Sequence, residues 1–165
     1  MNFDSFKIFP VLLTKRLRLE RLTLHHVDQF IPIATYNGRK FESREEVEGI
    51  ILKTDIAFEE MQGINWGIFL NSKLLGTCGF YRGFKDDVGE VGYVLKEEFR
   101  NQGFTSEAIA AVVEFGFKKL ELQKIVAFTN DQNAPSVALL TKLNFVKTTQ
   151  KAEEFTCFER LRLAE

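Results

Sequence analysis

The sequence predicts an α+β fold, in which a mixed and mostly antiparallel sheet of about seven strands is flanked by about four helices. Apolar residues alternate with period two in several short segments and recur at helical spacing in others, in the order β, α, α, β, β, β, α, β, α, β, β. Helices thus interrupt a run of strands that is mostly antiparallel. The strand–helix–strand unit at 89–129 is long enough for a right-handed crossover, which adds one parallel pair.

Length and composition are those of one globular domain. The chain has 165 residues, of which 45% are hydrophobic and 27% are charged. No internal repeat, low-complexity block or linker-like stretch divides it, so we expect a single domain over residues 1–165. Its 17 phenylalanines provide for a sizeable core.

The charge pattern and the hydropathy disfavour several functional classes. The net charge is −1 and the basic residues are spread along the chain, whereas a nucleic-acid-binding surface usually needs a basic stripe. No stretch approaches the length of a membrane span, and the N-terminus lacks the basic start and long apolar core of a signal peptide. We therefore expect a cytoplasmic protein with neither nucleic-acid nor membrane partners.

Cysteine and histidine usage argues against a metal site. Cys78 and Cys157 lack metal-type spacing, which is typical of a reducing compartment, although they could pair if the fold brought them together. His25 and His26 are the only histidines, and both lie at the start of a predicted helix. We expect no metal cofactor.

The first third of the chain predicts one strand and two helices. Charged and apolar residues alternate over 16–22, which indicates a half-buried strand. Thr23 can then cap a helix that an Asn-Gly pair at 37–38 ends. Ser43 and Glu46 form a capping box for the next helix. The apolar faces of these two helices are Val27, Phe30, Ile31 and Ala34, and then Val47, Ile50, Ile51, Thr54, Phe58 and Met61.

The rest of the chain predicts six strands and two helices. Two β-rich runs at 65–83 flank a polar turn at 71–73, which indicates a hairpin, and 89–95 is the next strand. The helix after residue 103 has the most regular apolar spacing, with Ile109, Val112, Val113, Gly116, Phe117 and Leu120 on one face. A strand at 124–129 and a short helix at 136–143 follow. The chain closes with the strands "NFVKTT" and "EFTCFERLRL".

A donor-rich turn precedes that most regular helix, in "EFRNQGFTSEAI" (98–109). Gly103 lets the backbone approach a ligand, Thr105 and Ser106 add hydroxyl groups, and Arg100 adds a fixed charge. A helix N-terminus carries unpaired N–H groups and a partial positive charge, so this cradle turn, residues 100–106, has the chemistry of a phosphate or pyrophosphate site. Glycine-bearing turns before helices are also common without any ligand. The stretch is not a P-loop, because no Gly-Lys-Ser/Thr follows.

The stretch "GYVLKEEFRNQGFTSEAI" resembles the acetyl-CoA-binding segment of the GNAT superfamily of N-acetyltransferases. The family pattern Gln/Arg-x-x-Gly-x-Gly/Ala corresponds to Arg100 through Thr105, where Thr105 replaces a small residue. "NAPSVALLTKLNFV" (133–146) resembles the second signature, with Asn144 at a usual glycine. "TKRLRLERLTLHHVDQF", "WGIFLNSKLLGTCGFYRG" and "GEVGYVL" resemble the subgroup that contains the ribosomal-protein alanine N-acetyltransferases. The resemblance spans roughly residues 13–163.

The resemblance implies the GNAT fold and direct transfer of an acetyl group from acetyl-CoA to a primary amine, with both substrates bound together. The main chain of the strand before the cradle turn would pair with the pantetheine arm, and one of its N–H groups would face the thioester oxygen. Asn133 would either cap its helix or touch the pantetheine. The implied cofactor-binding residues are Tyr93, Val94, Leu95, Arg100, Asn101, Gln102, Gly103, Phe104, Thr105, Ser106 and Asn133.

Glu90 and Ser136 are the candidate catalytic residues. Glu90 lies on the strand beside the implied cofactor and would take a proton from the amine, unless it is a solvated charge at the start of the strand. Many family members donate to the leaving thiolate from a tyrosine where this chain has Leu140. The alanine-acetylating subgroup carries a serine earlier in the same helix, which Ser136 matches. Ser136 could instead bond its own first helical turn.

The acceptor is the least determined part, because the matching motifs all bind the donor. The alternatives are the N-terminus of a protein, such as a ribosomal protein, and a small molecule such as a polyamine, an amino acid or an aminoglycoside. A non-catalytic acyl-CoA-binding module is a further alternative. Trp66, Tyr81 and Tyr93 are candidates for an acceptor pocket, although aromatic strand residues usually belong to the core. We expect a monomer or a homodimer.

Overall fold

The computed structural model describes residues 1–36 and 39–163, and it confirms the predicted fold class. The strands are β1 (Leu12–Leu13), β2 (Arg18–Arg21), β3 (Thr35–Tyr36), β4 (Arg39–Lys40), β5 (Ile64–Leu70), β6 (Lys73–Tyr81), β7 (Val88–Leu95), β8 (Lys124–Asn130), β9 (Val146–Ala152) and β10 (Phe155–Leu161). The α-helices are α1 (Val27–Phe30), α2 (Arg44–Glu59), α3 (Phe104–Lys118) and α4 (Ala134–Lys142). The helix end predicted at 37–38 lies outside the described residues.

Eight strands form one mixed sheet in the order β1-β2-β5-β6-β7-β8-β10-β9, and β3 and β4 pair separately. In the main sheet β7 and β8 run parallel, and the other neighbouring pairs are antiparallel. The sheet has one strand more than the prediction, because Leu12–Leu13 pairs with β2. A strand of two residues is too short to show a period-two pattern, so its sequence carries no signal.

The parallel pair β7–β8 opens into a split. The two strands are paired only where Val88, Gly89 and Glu90 face Lys124, Ile125 and Val126. β8 then continues along β10 as far as Asn130, whereas β7 continues along β6 as far as Leu95. Within the described part of the chain, the edge of β7 from Val91 to Leu95 therefore has no strand beside it on the β8 side.

Helices cover both faces of the sheet. Leu74 and Leu75 are consecutive on β6 and therefore point to opposite faces. Leu75 packs in a cluster with Trp66, Phe80 and the buried face of α3, and Leu74 packs in a second cluster with α1 and the first half of α2. These two packed layers fix the sheet on either side of the split.

The helix predicted after Thr23 is shorter than the pattern indicated. Two single turns of 3₁₀ helix, Leu24–His26 and Ile31–Ile33, flank the four-residue α1. Pro32 has no N–H to donate to the carbonyl four residues earlier, so an α-helix cannot continue through it. Ala34 is already extended, with φ −66° and ψ 108°.

Two local predictions are confirmed. Ser43 and Glu46 form the capping box of α2, and the hairpin turn connects β5 to β6.

The sequence left open whether Cys78 and Cys157 pair. Both are buried and free, so they do not pair. Within residues 1–36 and 39–163, no helix has both the length and the apolar character needed to cross a bilayer.

Gly116 of α3 packs tightly against the sheet. A Cβ at this position would lie 2.7 Å from Phe80 Cζ and 2.9 Å from Ile125 Cδ1. We expect Gly116→Ala to lower the free energy of unfolding by about 1–3 kcal/mol through overpacking, measured by urea denaturation.

Gly49 in α2 is the matched control, because a Cβ there meets nothing within 4 Å. Gly49→Ala should raise the free energy of unfolding by about 0.5–1 kcal/mol through helix propensity alone. Equal gains for both variants would contradict the tight α3–sheet contact.

Candidate active site

A groove of about 660 Å³ lies between the split edge of β7, the cradle turn and the start of α4. We call it the α3–α4 groove. It brings together most of the residues predicted to bind the cofactor. Those that line it are Tyr93, Val94, Leu95, Arg100, Asn101, Gly103, Phe104, Thr105, Ser106 and Asn133, and the catalytic candidate Ser136 lines it as well.

The cradle turn presents main-chain donors to this groove. Gly103 has φ +79° and precedes α3 directly, and Asn101 has φ +60°. Among the described residues, the N–H groups of Gly103, Phe104, Thr105 and Ser106 have no hydrogen-bond acceptor. They are the orphan donors of the first turn of α3, so they carry the positive end of its dipole.

Two side chains of the cradle turn are engaged within the protein. The amide Nε2 of Gln102 donates to Glu98 O at 2.9 Å, and Gln102 does not line the groove. The ring of Phe104 is buried, so this residue has only its main chain to offer. Arg100 is exposed, and its Nε donates to Leu95 O at 3.2 Å, which anchors the guanidinium beside the end of β7.

Arg16 supports the cradle turn from the N-terminal part of the chain, which the sequence did not indicate. Its Nη1 donates to Gln102 O at 3.1 Å, and its guanidinium lies 4.3 Å from the centre of the Phe104 ring. In a trans peptide the C=O and the N–H point in opposite directions. Holding Gln102 O therefore turns the N–H of Gly103 away from Arg16.

Glu107 in the first turn of α3 holds Arg16 in place. It accepts hydrogen bonds from the Arg16 N–H at 2.8 Å, from Arg16 Nε at 2.7 Å and from Thr14 Oγ1 at 2.5 Å. Burial alone would raise the pKa of Glu107, but these hydrogen bonds and the Arg16 charge hold it below its ordinary value. Because Arg16 and Glu107 are 91 positions apart, no local pattern could have predicted this contact.

Tyr93 and Ser136 meet at the inner end of the groove. Their hydroxyl oxygens are 2.7 Å apart, and both groups are part-buried. Burial raises the pKa of Tyr93, and the hydrogen bond with Ser136 opposes that shift. Asn133 caps α4 by accepting from the N–H of Ser136 at 3.4 Å. The Ser136 hydroxyl is therefore directed to Tyr93 rather than to its own helical turn.

A second cavity, of about 500 Å³, lies on the side of α2. We call it the α2 cavity, and its wall includes Asn65, Tyr81, Arg82 and Glu90. Tyr93 and Val94 line both this cavity and the α3–α4 groove. The two spaces thus meet at the split edge of β7.

Glu90 lies in the α2 cavity, opposite Tyr81 in the β6–β7 pairing. Its side chain is 22% exposed and faces Arg82, whose Nη1 lies 3.3 Å from Oε1 and 3.4 Å from Oε2. Burial raises the pKa of Glu90, and the charge of Arg82 limits the rise. The carboxylate is therefore a stronger base than an exposed glutamate.

The aromatic candidates for an acceptor pocket separate into two kinds. Tyr81 lines the α2 cavity and donates its hydroxyl to Asn65 Oδ1 at 2.7 Å, and burial raises its pKa. Trp66 lines neither cavity, so its prediction as a pocket residue is wrong. It is fully buried, and its Nε1 donates to Pro10 O at 2.7 Å. As the neighbour of Asn65 on β5, it points to the opposite face of the sheet.

Comparisons with known proteins agree with this architecture. The model of the acetyltransferase (GNAT) domain family matches residues 16–146. The uncharacterized N-acetyltransferase YoaA of Bacillus subtilis is 34% identical over 151 residues, which cover 85% of each chain. The ribosomal α-N-protein acetyltransferase RimL, solved in complex with coenzyme A, superposes with a TM-score of 0.80 at 15% identity, over 92% of this chain and 98% of the other.

An acetyltransferase of the GNAT family from Bacillus anthracis superposes with a TM-score of 0.76 at 18% identity, over 93% of this chain and 99% of the other. At such low identity, structural similarity shows the fold alone. The match of the family model and the identity to YoaA go further and confirm the resemblance inferred from the motifs. The chain belongs to the GNAT acetyltransferase family and is an acetyl-CoA-dependent N-acyltransferase.

Proposed function

We propose that the protein acetylates a primary amine by direct attack, with acetyl-CoA in the α3–α4 groove and the amine in the α2 cavity. The observation that carries this proposal is that the two spaces meet at Tyr93 and Val94. Both substrates can then lie in contact without any movement of the sheet, which favours transfer within a ternary complex.

The α3–α4 groove fits acetyl-CoA, which supplies the acetyl group as a thioester. The four unpaired N–H groups at residues 103–106 can bind the diphosphate, and the positive φ of Gly103 brings the main chain close to it. Alternate N–H groups on the free edge of β7 point into the split. They can pair with the amide-bearing arm and donate to the thioester oxygen, which stabilises negative charge there.

Glu90 is the proposed base. It lies in the α2 cavity on the same strand as Tyr93, and its raised pKa suits it to accept a proton near neutral pH. Ser136 and Tyr93 are the proposed donors to the departing sulfur. When one hydroxyl of the pair donates to the other, the second hydroxyl keeps its own proton for a further acceptor.

Two classes of acceptor agree with this site, and one of them is the α-amine of a protein N-terminus, such as that of a ribosomal protein. A peptide α-amine has a pKa of about 8, against about 10.4 for lysine, so a single glutamate suffices to deprotonate it. The shape shared with RimL supports this class. The second candidate is a small-molecule amine, and the α2 cavity, at about 500 Å³, favours it.

Ser106→Glu tests the diphosphate site. Ser106 is in the first turn of α3, where a carboxylate stabilises the helix dipole by about 0.3–1 kcal/mol. The same charge competes with a diphosphate for the free N–H groups. We expect an unchanged or higher melting temperature without ligand, and a Kd for coenzyme A that is raised at least about tenfold, measured by calorimetry.

Ser106→Gln is the matched control, because it adds the same bulk without the charge. It should retain most of the affinity for coenzyme A. Equal weakening by both substitutions would mean that steric blockage, and not repulsion of an anion, explains the loss.

Glu90→Gln tests the base. Because the pKa of Glu90 is raised, the wild-type kcat/KM should fall as the pH drops through a value above the ordinary 4.3 of glutamate. In the variant, kcat/KM should no longer fall at the pKa of Glu90. Its rate should be lower than that of the wild type by about 100-fold or more, and the difference should be largest below the pKa of the amine. Glu59→Gln, an exposed change on α2, should leave the pH–rate profile unaltered. A wild-type profile in Glu90→Gln would remove Glu90 from the mechanism.

Tyr93→Phe and Ser136→Ala test the hydroxyl pair. Each should lower kcat by about tenfold or more while the Kd for coenzyme A stays unchanged, because a proton donor acts on the leaving sulfur and not on the bound ligand. The double variant should be no slower than the slower single variant, since the two hydroxyls act as a unit. Thr141→Ala on the same helix is the control, because its hydroxyl donates to Val137 O and Thr141 is not among the residues that line the groove. Fully multiplicative losses would argue against a shared role.

A further inference from the structure

The charges that line the α2 cavity limit the chemistry of the acceptor. Among the described residues of its wall, Lys53 and Arg82 are positive and Glu90 is the only carboxylate. We propose that the acceptor is a small primary amine with a carboxylate a few bonds from the amine, as in a free α-amino acid. This inference rests on the proposed function, and it selects the small-molecule class over a protein N-terminus.

The ammonium and carboxylate groups of such a ligand can replace the contact between Arg82 and Glu90. Nη1 of Arg82 lies 3.3 and 3.4 Å from the two oxygens of the Glu90 carboxylate, whereas strong charge-assisted hydrogen bonds measure about 2.7–2.9 Å. Arg82 is also 65% exposed, so water and salt screen the pair. An ammonium group can therefore take the place of Arg82 beside Glu90, and the freed guanidinium can bind a carboxylate in a bidentate way.

The backbone holds Arg82 at the rim of the cavity. Arg82 follows Tyr81, the partner of Glu90 in the sheet, and has φ +65°. The N–H of the next residue, Gly83, donates to Gln62 O at 2.8 Å, and Gly83 has φ +79°. The end of β6 is thus fixed while the long side chain of Arg82 can reorient, as an anchor for a ligand requires.

The same charges act against the other acceptors. A polyamine or an aminoglycoside would bring several cations to a wall that offers two cations and one carboxylate. Tyr81 and Asn65 supply no further anion, because burial raises the pKa of the Tyr81 hydroxyl and the amide of Asn65 is uncharged. A protein N-terminus brings an amide, not a carboxylate, to the position beside its amine, and leaves Arg82 without a partner.

The experiment compares each of a set of free α-amino acids with its own primary amide, and adds spermidine and a tripeptide, by release of coenzyme A thiol. For the amino acids that react, kcat/KM should exceed that of the amide by at least about tenfold, the loss expected for one charge-assisted contact. The amide is the less basic amine and is more often neutral, so amine basicity would favour the opposite order. Binding to the enzyme–coenzyme A complex, measured by calorimetry, should show the same preference.

Variants of Arg82 assign the preference to one side chain. Arg82→Gln should bring the kcat/KM for an amino acid down to that for its amide. Arg82→Lys should keep part of the preference for the amino acid. Lys85→Gln, which removes an exposed cation outside the cavity wall, should leave the ratio of the two kcat/KM values unchanged. Any general effect of Arg82 on Glu90 cancels in this ratio.

The outcomes separate two failures. Amides, spermidine or the tripeptide reacting as fast as the amino acids, or a ratio that persists in Arg82→Gln, would overturn the inference and leave the acetyltransferase proposal standing. Coenzyme A binding without thiol release on any amine would overturn the proposed function, and this inference with it.

Discussion

The site depends on the parting of β7 from β8 after only three paired residues. A parallel pair that ends so early leaves main-chain donors and acceptors of β7 without a strand partner. Such an edge elsewhere would invite another chain to pair with it. Here it lies inside the α3–α4 groove, where we propose that acetyl-CoA binds.

Helices pack against both faces of the sheet where β7 and β8 separate. α3 approaches β6 and β8 so closely at Gly116 that a single methyl group would touch Phe80 and Ile125. α1 and the first half of α2 cover the other face. Packed elements therefore frame the opening on both faces, and a hydrogen bond joins Tyr93 and Ser136 beside it.

The sequence predicted those parts of the structure that depend on local spacing. The capping box of Ser43 and Glu46 and the buried stripe of α3 are signals within one or two helical turns, and the structure contains both. The pattern after Thr23 was also helical, but Pro32 removes a donor that periodicity does not count. Trp66 was placed in a pocket because the sequence could not say which face of β5 points into the core.

Contacts between distant segments could not be predicted from the sequence. The Tyr93–Ser136 pair joins residues 43 positions apart, and the pairing of Arg82 with Glu90 needs the register of β6 and β7. The residues themselves indicated the cradle turn, and the resemblance to a family supplied Ser136, but neither indicated Arg16 or the partner of Ser136. The Tyr93–Ser136 and Arg82–Glu90 pairs could therefore be identified only from the folded structure.

The contacts of Arg16 with Glu107 and with Gln102 O also bear on the order in which parts of the chain fold. Helix α3 can nucleate by itself, since its stripe and first turn are local, yet the orientation of the peptide after Gln102 waits for a residue 86 positions earlier in the chain. Closing so large a loop is slow in comparison with forming a helix. Ligand-binding competence should consequently be among the last properties to be acquired during folding, later than helical content, and among the first to be lost when the amino-terminal strands come loose.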